Sequence, residues 1–204
     1  AAVADGAEQS ARRLGLDVRL RAPYPEPEHP PKLISQISDL RPMVILGVGT
    51  TEADLAFARA ARCQGLAAPV MSLVAAPIEH FREALGRQAD GFCGPSQWEP
   101  SLRDSPDLGP TSAEFAASFR ARFGAEPDYP AAQACAAGLI AAECARRAGS
   151  LADDALLQAA QSLDLTTFYG RFRLDPATGQ QIGHQIVVVQ WQAGGILFVG
   201  PPTA

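Results

Sequence analysis

The chain lacks the features by which most function classes announce themselves. It has no run of Lys or Arg, and its net charge is −5 with both signs interspersed, so a nucleic-acid or membrane-surface footprint is excluded. Its apolar runs are short: the one reading QIVVVQW near Val188 is strand-sized, far below the roughly 20 residues of a membrane span. Cys63, Cys93, Cys135 and Cys144 form no C-x-x-C pair, which leaves zinc and thioredoxin-like chemistry without support. Cys135 and Cys144 fall on one predicted helix, roughly 13 Å apart by helical rise, too far for a disulfide. The expectation is four small buried thiols.

Catalytic patterns are missing as well. His29, His80 and His184 are scattered, with no His-Glu pair at helical spacing, and no G-x-S-x-G elbow occurs. Gly47-Val48-Gly49-Thr50-Thr51-Glu52 is neither G-x-G-x-x-G nor G-K-[ST], so a phosphate loop is excluded. Asp153 and Asp154 complement a helix dipole, and Asp104 and Asp107 sit in turns. No acid, base and nucleophile converge. The expectation is a binding protein, not an enzyme, with no cofactor and no metal.

What is present is a regular alternation. Its 204 residues are enough for a real core in one domain or two small ones. Val3, Ala7, Ala11 and Leu14 recur at helical spacing, so the chain opens inside an amphipathic helix. Leu16, Val18 and Leu20 alternate with charged residues as a half-exposed strand, Leu16–Arg21. A loop containing Pro23, Pro25, Pro27, Pro30 and Pro31 follows. Leu33 to Leu40 is a helix ended before Pro42. Met43–Leu46 is a continuous apolar run, as in a parallel strand covered on both faces. A helix from Glu52 to Gln64, a strand from Pro69 to Val74, a helix through Ile78, Phe81 and Leu85, and a strand at Gly91–Gly94 complete the series. This order predicts a parallel sheet with right-handed crossovers. Thr51 is the expected N-cap of its helix, with Asp54 at the third helical position.

After Pro95 the character changes. A turn-rich connection leads to three helices without a strand: Ser112–Phe123, Ala131–Ala148 and Asp153–Ser162. Thr111 with Glu114 makes a capping box, Phe115, Phe119 and Phe123 form one stripe, and Gly124 ends that helix. Ser150 and Asp153 are the expected caps of the third. The end is antiparallel: Thr166–Leu174, Gln185–Gln192, a Gly194-Gly195 turn and Ile196–Val199.

The order of these pieces carries a resemblance. SAEF, RFG and EPDY followed by an alanine-rich helix, spanning Thr111 to Ala142, resemble the periplasmic solute-binding proteins of branched-chain amino acid ABC importers, the leucine/isoleucine/valine-binding type. Thr167–Asp175 with Thr178-Gly179-Gln180 is similar to that family's T-F-x-G segment and its T-G-Q, and His184–Trp191 to its closing strand. Arg41–Gly47 and Phe81–Gly86 fit as well.

The resemblance implies a type I periplasmic-binding-protein-like α/β fold: a mainly parallel three-layer sheet lobe plus helices of a second lobe, in an incomplete two-lobe protein. Only the C-terminal part of the family is matched, so the natural protein is expected to be longer, exported and periplasmic or otherwise extracytoplasmic. Residues 1–96 and 176–204 would form one lobe, and 97–175 the crossing segment and late helices of the other. Without their own sheet, Phe115, Phe119, Leu139 and Ile140 are expected to stand exposed. Ligand contacts are expected from Gly49, Thr50, Thr51 and Val74 on one lobe and Gln133 and Cys135 on the other. Asp128, Tyr129, Gln97 and Trp98 are further candidates; Trp98 either stacks on a ligand or covers the hinge. The partners implied are a small molecule, an amino acid or carboxylic acid, and an ABC transporter permease. The family's acid for the ligand's ammonium group is replaced here by Leu73, Val74 and Ala75, and its aromatic by Gly49. A buried ammonium without a carboxylate is costly, so a carboxylic acid or other non-amino-acid metabolite is preferred. A sensing domain or an enzyme on the same fold is the alternative, since fold does not fix function.

Overall fold

The computed structural model describes residues 2–23, 30–102 and 105–200. Pro25, Pro27, His29 and Asp104 lie outside the described residues. The chain divides into two compact units, one of Ala1–Pro95 with Val188–Ala204 and the other of Ser96–Val187. Residues 176–187 therefore group with the three late helices rather than with the terminal strands.

Among the described residues the first unit holds four α-helices, α1 (Ala2–Arg13), α2 (Pro30–Leu40), α3 (Thr51–Cys63) and α4 (Glu79–Leu85), with strands β1 (Val44–Gly47), β2 (Val70–Leu73) and β3 (Phe92–Ser96). β1 pairs with β2 and β2 with β3, both parallel. The β6 (Val187–Gln192) and β7 (Gly195–Phe198) hairpin completes the sheet in the order β1-β2-β3-β6-β7. Its turn uses Ala193 and Gly194 at φ 52° and 82°, the mirror-image turn that suits the twist of a two-residue hairpin.

Ile45, Met71 and Leu73 point from one face of the sheet into a core with Ile34, Leu55, Phe57, Phe81 and Leu85. Phe81 and Phe92 meet edge to face at 5.7 Å. The other face is not covered in the same way. Val44 and Leu46 are 42% and 54% exposed, so β1 is buried on one face and not on both as its apolar run predicts. Four consecutive apolar residues look alike whether one face is covered or two.

The strand expected at Leu16–Arg21 does not form. Among the described residues the segment has no ladder partner, and Arg21 turns back onto α1, where it pairs with Asp5 and, at 2.9 Å, with Glu8. α1 itself buries no residue. Alternation alone cannot make a strand; the backbone needs a neighbour to receive its hydrogen bonds.

The second unit contains α5 (Ser112–Phe123), α6 (Tyr129–Ala148), α7 (Asp153–Ser162), β4 (Asp164–Thr167) and β5 (Gly170–Arg173). The expected single strand Thr166–Leu174 is instead a tight antiparallel hairpin, separate from the main sheet; Phe168 and Tyr169 take the turn and Gly170 adopts φ 115°. The Thr111–Glu114 capping box and the left-handed stop at Gly124 both form. α7 starts after Ala152 without a side-chain cap, because the Ser150 hydroxyl accepts from Ala152 N–H at 3.1 Å instead.

Phe115 is not exposed. It is buried against Trp98 and Phe168, which it stacks at 4.4 Å, with Phe119 half-buried beside it. The connection and the hairpin turn supply the cover that sequence reasoning assigned to an absent sheet. Leu139 and Ile140 are half-buried too, and only Phe123 of the stripe stands largely exposed. Cys93 and Cys144 are buried, while Cys63 and Cys135 are exposed, which corrects the expectation of four buried thiols.

Candidate ligand-binding site

Parallel pairing puts the carboxyl ends of β1 and β2 at one edge of the sheet, the edge where open α/β sheets bind ligands. The loops leaving them carry four of the sequence candidates. In the first, Gly49 and Thr51 are half-buried and Thr50 is exposed. Thr50, not Thr51, is the N-cap of α3: its hydroxyl accepts from Ala53 N–H at 3.3 Å. Capping needs extended backbone ahead of the helix, and Thr51 is already helical. The Glu52 carboxylate accepts from its own backbone N–H and from Thr50, which holds its pKa below the ordinary value.

The second loop, Val74–Ile78, is tightly tied. Val74 N–H donates to Gly47 carbonyl at 3.2 Å, joining the two loops directly. Ala75 N–H donates to Asp54 Oδ2 at 2.8 Å, and Trp191 Nε1 donates to Ala76 carbonyl at 2.6 Å. Val74 and Ile78 are half-buried while Ala75, Ala76 and Pro77 are buried, and Val74 is the half-buried residue that directly follows β2. Gly94 on β3 lies so close that a Cβ there would stand 2.2 Å from Leu73 carbonyl. The site edge is thus apolar and built largely from backbone, and its two loops, residues 47–50 and 74–77, contain no acid.

The remaining candidates belong to the second unit. Gln133 and Cys135 both lie on exposed parts of α6. Two positions apart on a helix, they project to different sides. Partial desolvation raises the pKa of the otherwise exposed Cys135 thiol. Asp128 caps α6 by accepting from Ala131 N–H at 3.1 Å, and Tyr129 packs half-buried against the aromatic cluster. Trp98 is core: it is buried, its indole donates to Ser112 Oγ at 3.1 Å, and it meets Phe115 edge to face at 5.5 Å. Gln97 Oε1 accepts from the Tyr169 hydroxyl at 3.1 Å, and burial pushes that phenol up to about 12.

Two features escaped the sequence. Glu99 is buried, and desolvation, partly offset by a bond from Ser96, raises its carboxyl pKa to about 7. Asp54 is fully buried and serves the Val74–Ile78 loop rather than the start of its own helix. The signal for the second was available: Asp54 shares the helix face that buries Leu55, Phe57 and Ala58, where an acid needs a partner. Among the described residues no group of His, Cys, Asp and Glu could hold a metal ion, and no helix is long and apolar enough to cross a membrane.

The comparisons with known proteins agree on the family. A periplasmic binding protein family model matches residues 1–195, and the chain belongs to that family. Among solved structures, a leucine-binding protein of Thermotoga maritima superposes with a TM-score of 0.71 at 19% identity, covering 82% of this chain and 46% of the other. An ABC transporter solute-binding protein from R. palustris, in complex with benzoate, gives 0.78 at 18% identity, covering 96% and 53%. An ABC transporter substrate-binding protein of Desulfitobacterium hafniense in complex with Leu gives 0.72 at 21%, covering 96% and 55%. The chain therefore spans about half the length of these structures, and the fold is the type I periplasmic binding fold.

Proposed function

We propose that the chain is part of an extracytoplasmic receptor for a small carboxylic acid, which it delivers to an ABC importer through the transporter's permease. No chemistry is required. A ligand that touches both lobes only when they are closed shifts the population toward the closed form, and the importer reads that form. Gly49, Thr50, Thr51 and Val74 are the contacts proposed from the sheet lobe, with Gln133 or Cys135 from the helical one. In this reading the unit of Ala1–Pro95 with Val188–Ala204 belongs to one lobe and Ser96–Val187 to the other, where the sequence alone divides them as 1–96 with 176–204 and 97–175.

The observation that carries the ligand class is the absence of acid in both loops. Asp54, the nearest buried acid, is turned onto Ala75 N–H, and Glu52 is folded back on Thr50. An α-ammonium group would have no carboxylate in either loop, whereas an apolar acid matches the Val74 wall and the loop backbone. The benzoate bound to the R. palustris protein is a compound of that kind; the leucine bound to the D. hafniense protein is not.

A thermal-shift screen of the full-length protein against amino acids, aromatic acids and short aliphatic acids tests the reading. Aromatic or aliphatic acids are expected to raise the melting temperature without being consumed. Stabilisation by leucine or valine alone would refute the ligand class, and turnover of any hit would refute the receptor.

A further inference from the structure

We infer that Asp54 is a positioning residue for ligand binding: a buried carboxyl group that holds the Val74–Ile78 loop in its binding shape from inside the fold. The inference rests on the reading that this loop faces the ligand. Asp54 is fully buried on α3, one turn after the Thr50 cap, and its Oδ2 accepts from Ala75 N–H at 2.8 Å across 21 positions of sequence. Ala75 is the residue after Val74, so the bond fixes the peptide that aims the proposed contact. The same carboxyl group stands at the start of the helix that follows the first loop. One side chain therefore sets the spacing of both loops.

The rest of the loop depends on that anchor. Val74 N–H bonds to Gly47 carbonyl, Ile78 N–H to Ala75 carbonyl at 3.0 Å, and Ala76 carbonyl to the Trp191 indole at 2.6 Å. From the third strand, Gly94 lies where a Cβ would have no room against Leu73 carbonyl and Pro77. Trp191, buried under Arg82 at 5.6 Å, fixes one carbonyl; Asp54 fixes the amide on the residue before it. A loop held on both its donor and its acceptor side loses little freedom when a ligand arrives, and affinity gains from that.

The test uses the full-length protein with Asp54→Ala, Asp54→Asn and, as a core control, Leu85→Ala. Amide exchange is measured by NMR, and binding of benzoate and of leucine by calorimetry. Asp54→Ala is expected to speed exchange at Val74–Ile78 by roughly tenfold or more over any change in the body of the sheet, and to weaken the better-bound probe by a similar factor. Asp54→Asn keeps an acceptor oxygen and should restore most of both. Leu85→Ala should lower stability without that local opening. Unchanged protection of the Ala75 amide, no rescue by Asn, or probe affinity equal to that of the core control would each overturn the role of Asp54. If the wild type binds neither probe, the receptor reading fails for these compounds, and the exchange data alone decide Asp54.

Discussion

Replacing Gly94 by Ala tests the close approach on which the loop geometry depends. A Cβ at this position would stand 2.2 Å from Leu73 carbonyl oxygen and 2.7 Å from Pro77 Cδ. The first is a backbone atom at the end of a paired strand and cannot rotate away. Overpacking a core typically costs about 1–3 kcal/mol, and a clash with backbone belongs at the upper end, about 3 kcal/mol. For a chain of this size each kcal/mol moves the melting temperature by about 2–4 °C, so the expected loss is about 6–12 °C. Two other glycines provide the scale. Gly124 has φ +67° with nothing within 4 Å, so Gly124→Ala costs only the left-handed conformation, about 1–2 kcal/mol. Gly138 lies inside α6 with open space around it, and Gly138→Ala should stabilise by about 0.5–1 kcal/mol. The two tryptophans make the assay local, since Trp191 lies in the first unit and Trp98 in the second. Thermal unfolding followed by Trp191 fluorescence in a Trp98→Phe background reports on Gly94→Ala, and Trp98 fluorescence in a Trp191→Phe background on the other two. If Gly94→Ala lowers its transition no more than Gly124→Ala lowers its own, the packing argument is wrong.

Phe168→Ala removes a fully buried ring that stacks on Phe115 and meets Trp98 edge to face at 6.2 Å. It should cost about 3–5 kcal/mol and shift Trp98 emission to the red; a loss below about 1 kcal/mol would show that the second unit does not rest on this cluster. Glu99 supplies a pH dependence of definite sign. Its folded pKa is about 7 against an ordinary 4.5, so the folded state binds the proton more tightly, and the Glu99 contribution to stability is fully present below about 4.5 and is lost as pH rises toward 7. At roughly 1.4 kcal/mol per pH unit the loss is roughly 3 kcal/mol. Urea unfolding at pH 5 and pH 8 should show Glu99→Gln gaining on the wild type across that interval. Parallel pH profiles for the two proteins would rule this out.

The parts of the fold legible in the sequence are those whose cause is local. Thr111 and Glu114 bracket a helix start within four residues, and Gly124 ends that helix by adopting φ +67°; each signal and its effect occupy the same turn. The parallel strands were legible for a similar reason, because each short apolar run is bounded by a helix with its own stop. The failures needed a neighbour. Leu16–Arg21 has the alternation of a strand, but its backbone has no adjoining strand among the described residues and Arg21 finds Asp5 and Glu8 instead. Met43–Leu46 has the composition of a two-sided strand, yet what lies on each face is decided by other elements. Phe115 reads from sequence as cover for an absent sheet, because nothing local places Trp98 and Phe168, seventeen residues before it and fifty-three after, against it.

The candidate site divides along the same line, and Asp54 shows why. An acid at the start of a helix is ordinarily explained by the helix dipole, and Thr51-Glu52-Ala53-Asp54 invites that account. Glu52 satisfies it: exposed, it accepts from its own N–H and from the Thr50 cap. The requirement of the helix start is met by that residue, so an acid two positions on, turned to the apolar side, has to be explained by something outside the helix. Burial makes the point stronger, because an unpartnered carboxyl group in a core costs several kcal/mol. The structure supplies the partner in Ala75 N–H, a donor beyond β2 that the pleat leaves unpaired once the strand ends. Thus the helix following one loop stabilises the backbone of the next. A sequence with two acids where one cap would suffice carries a trace of that contact, although its destination is visible only once β1 and β2 lie side by side.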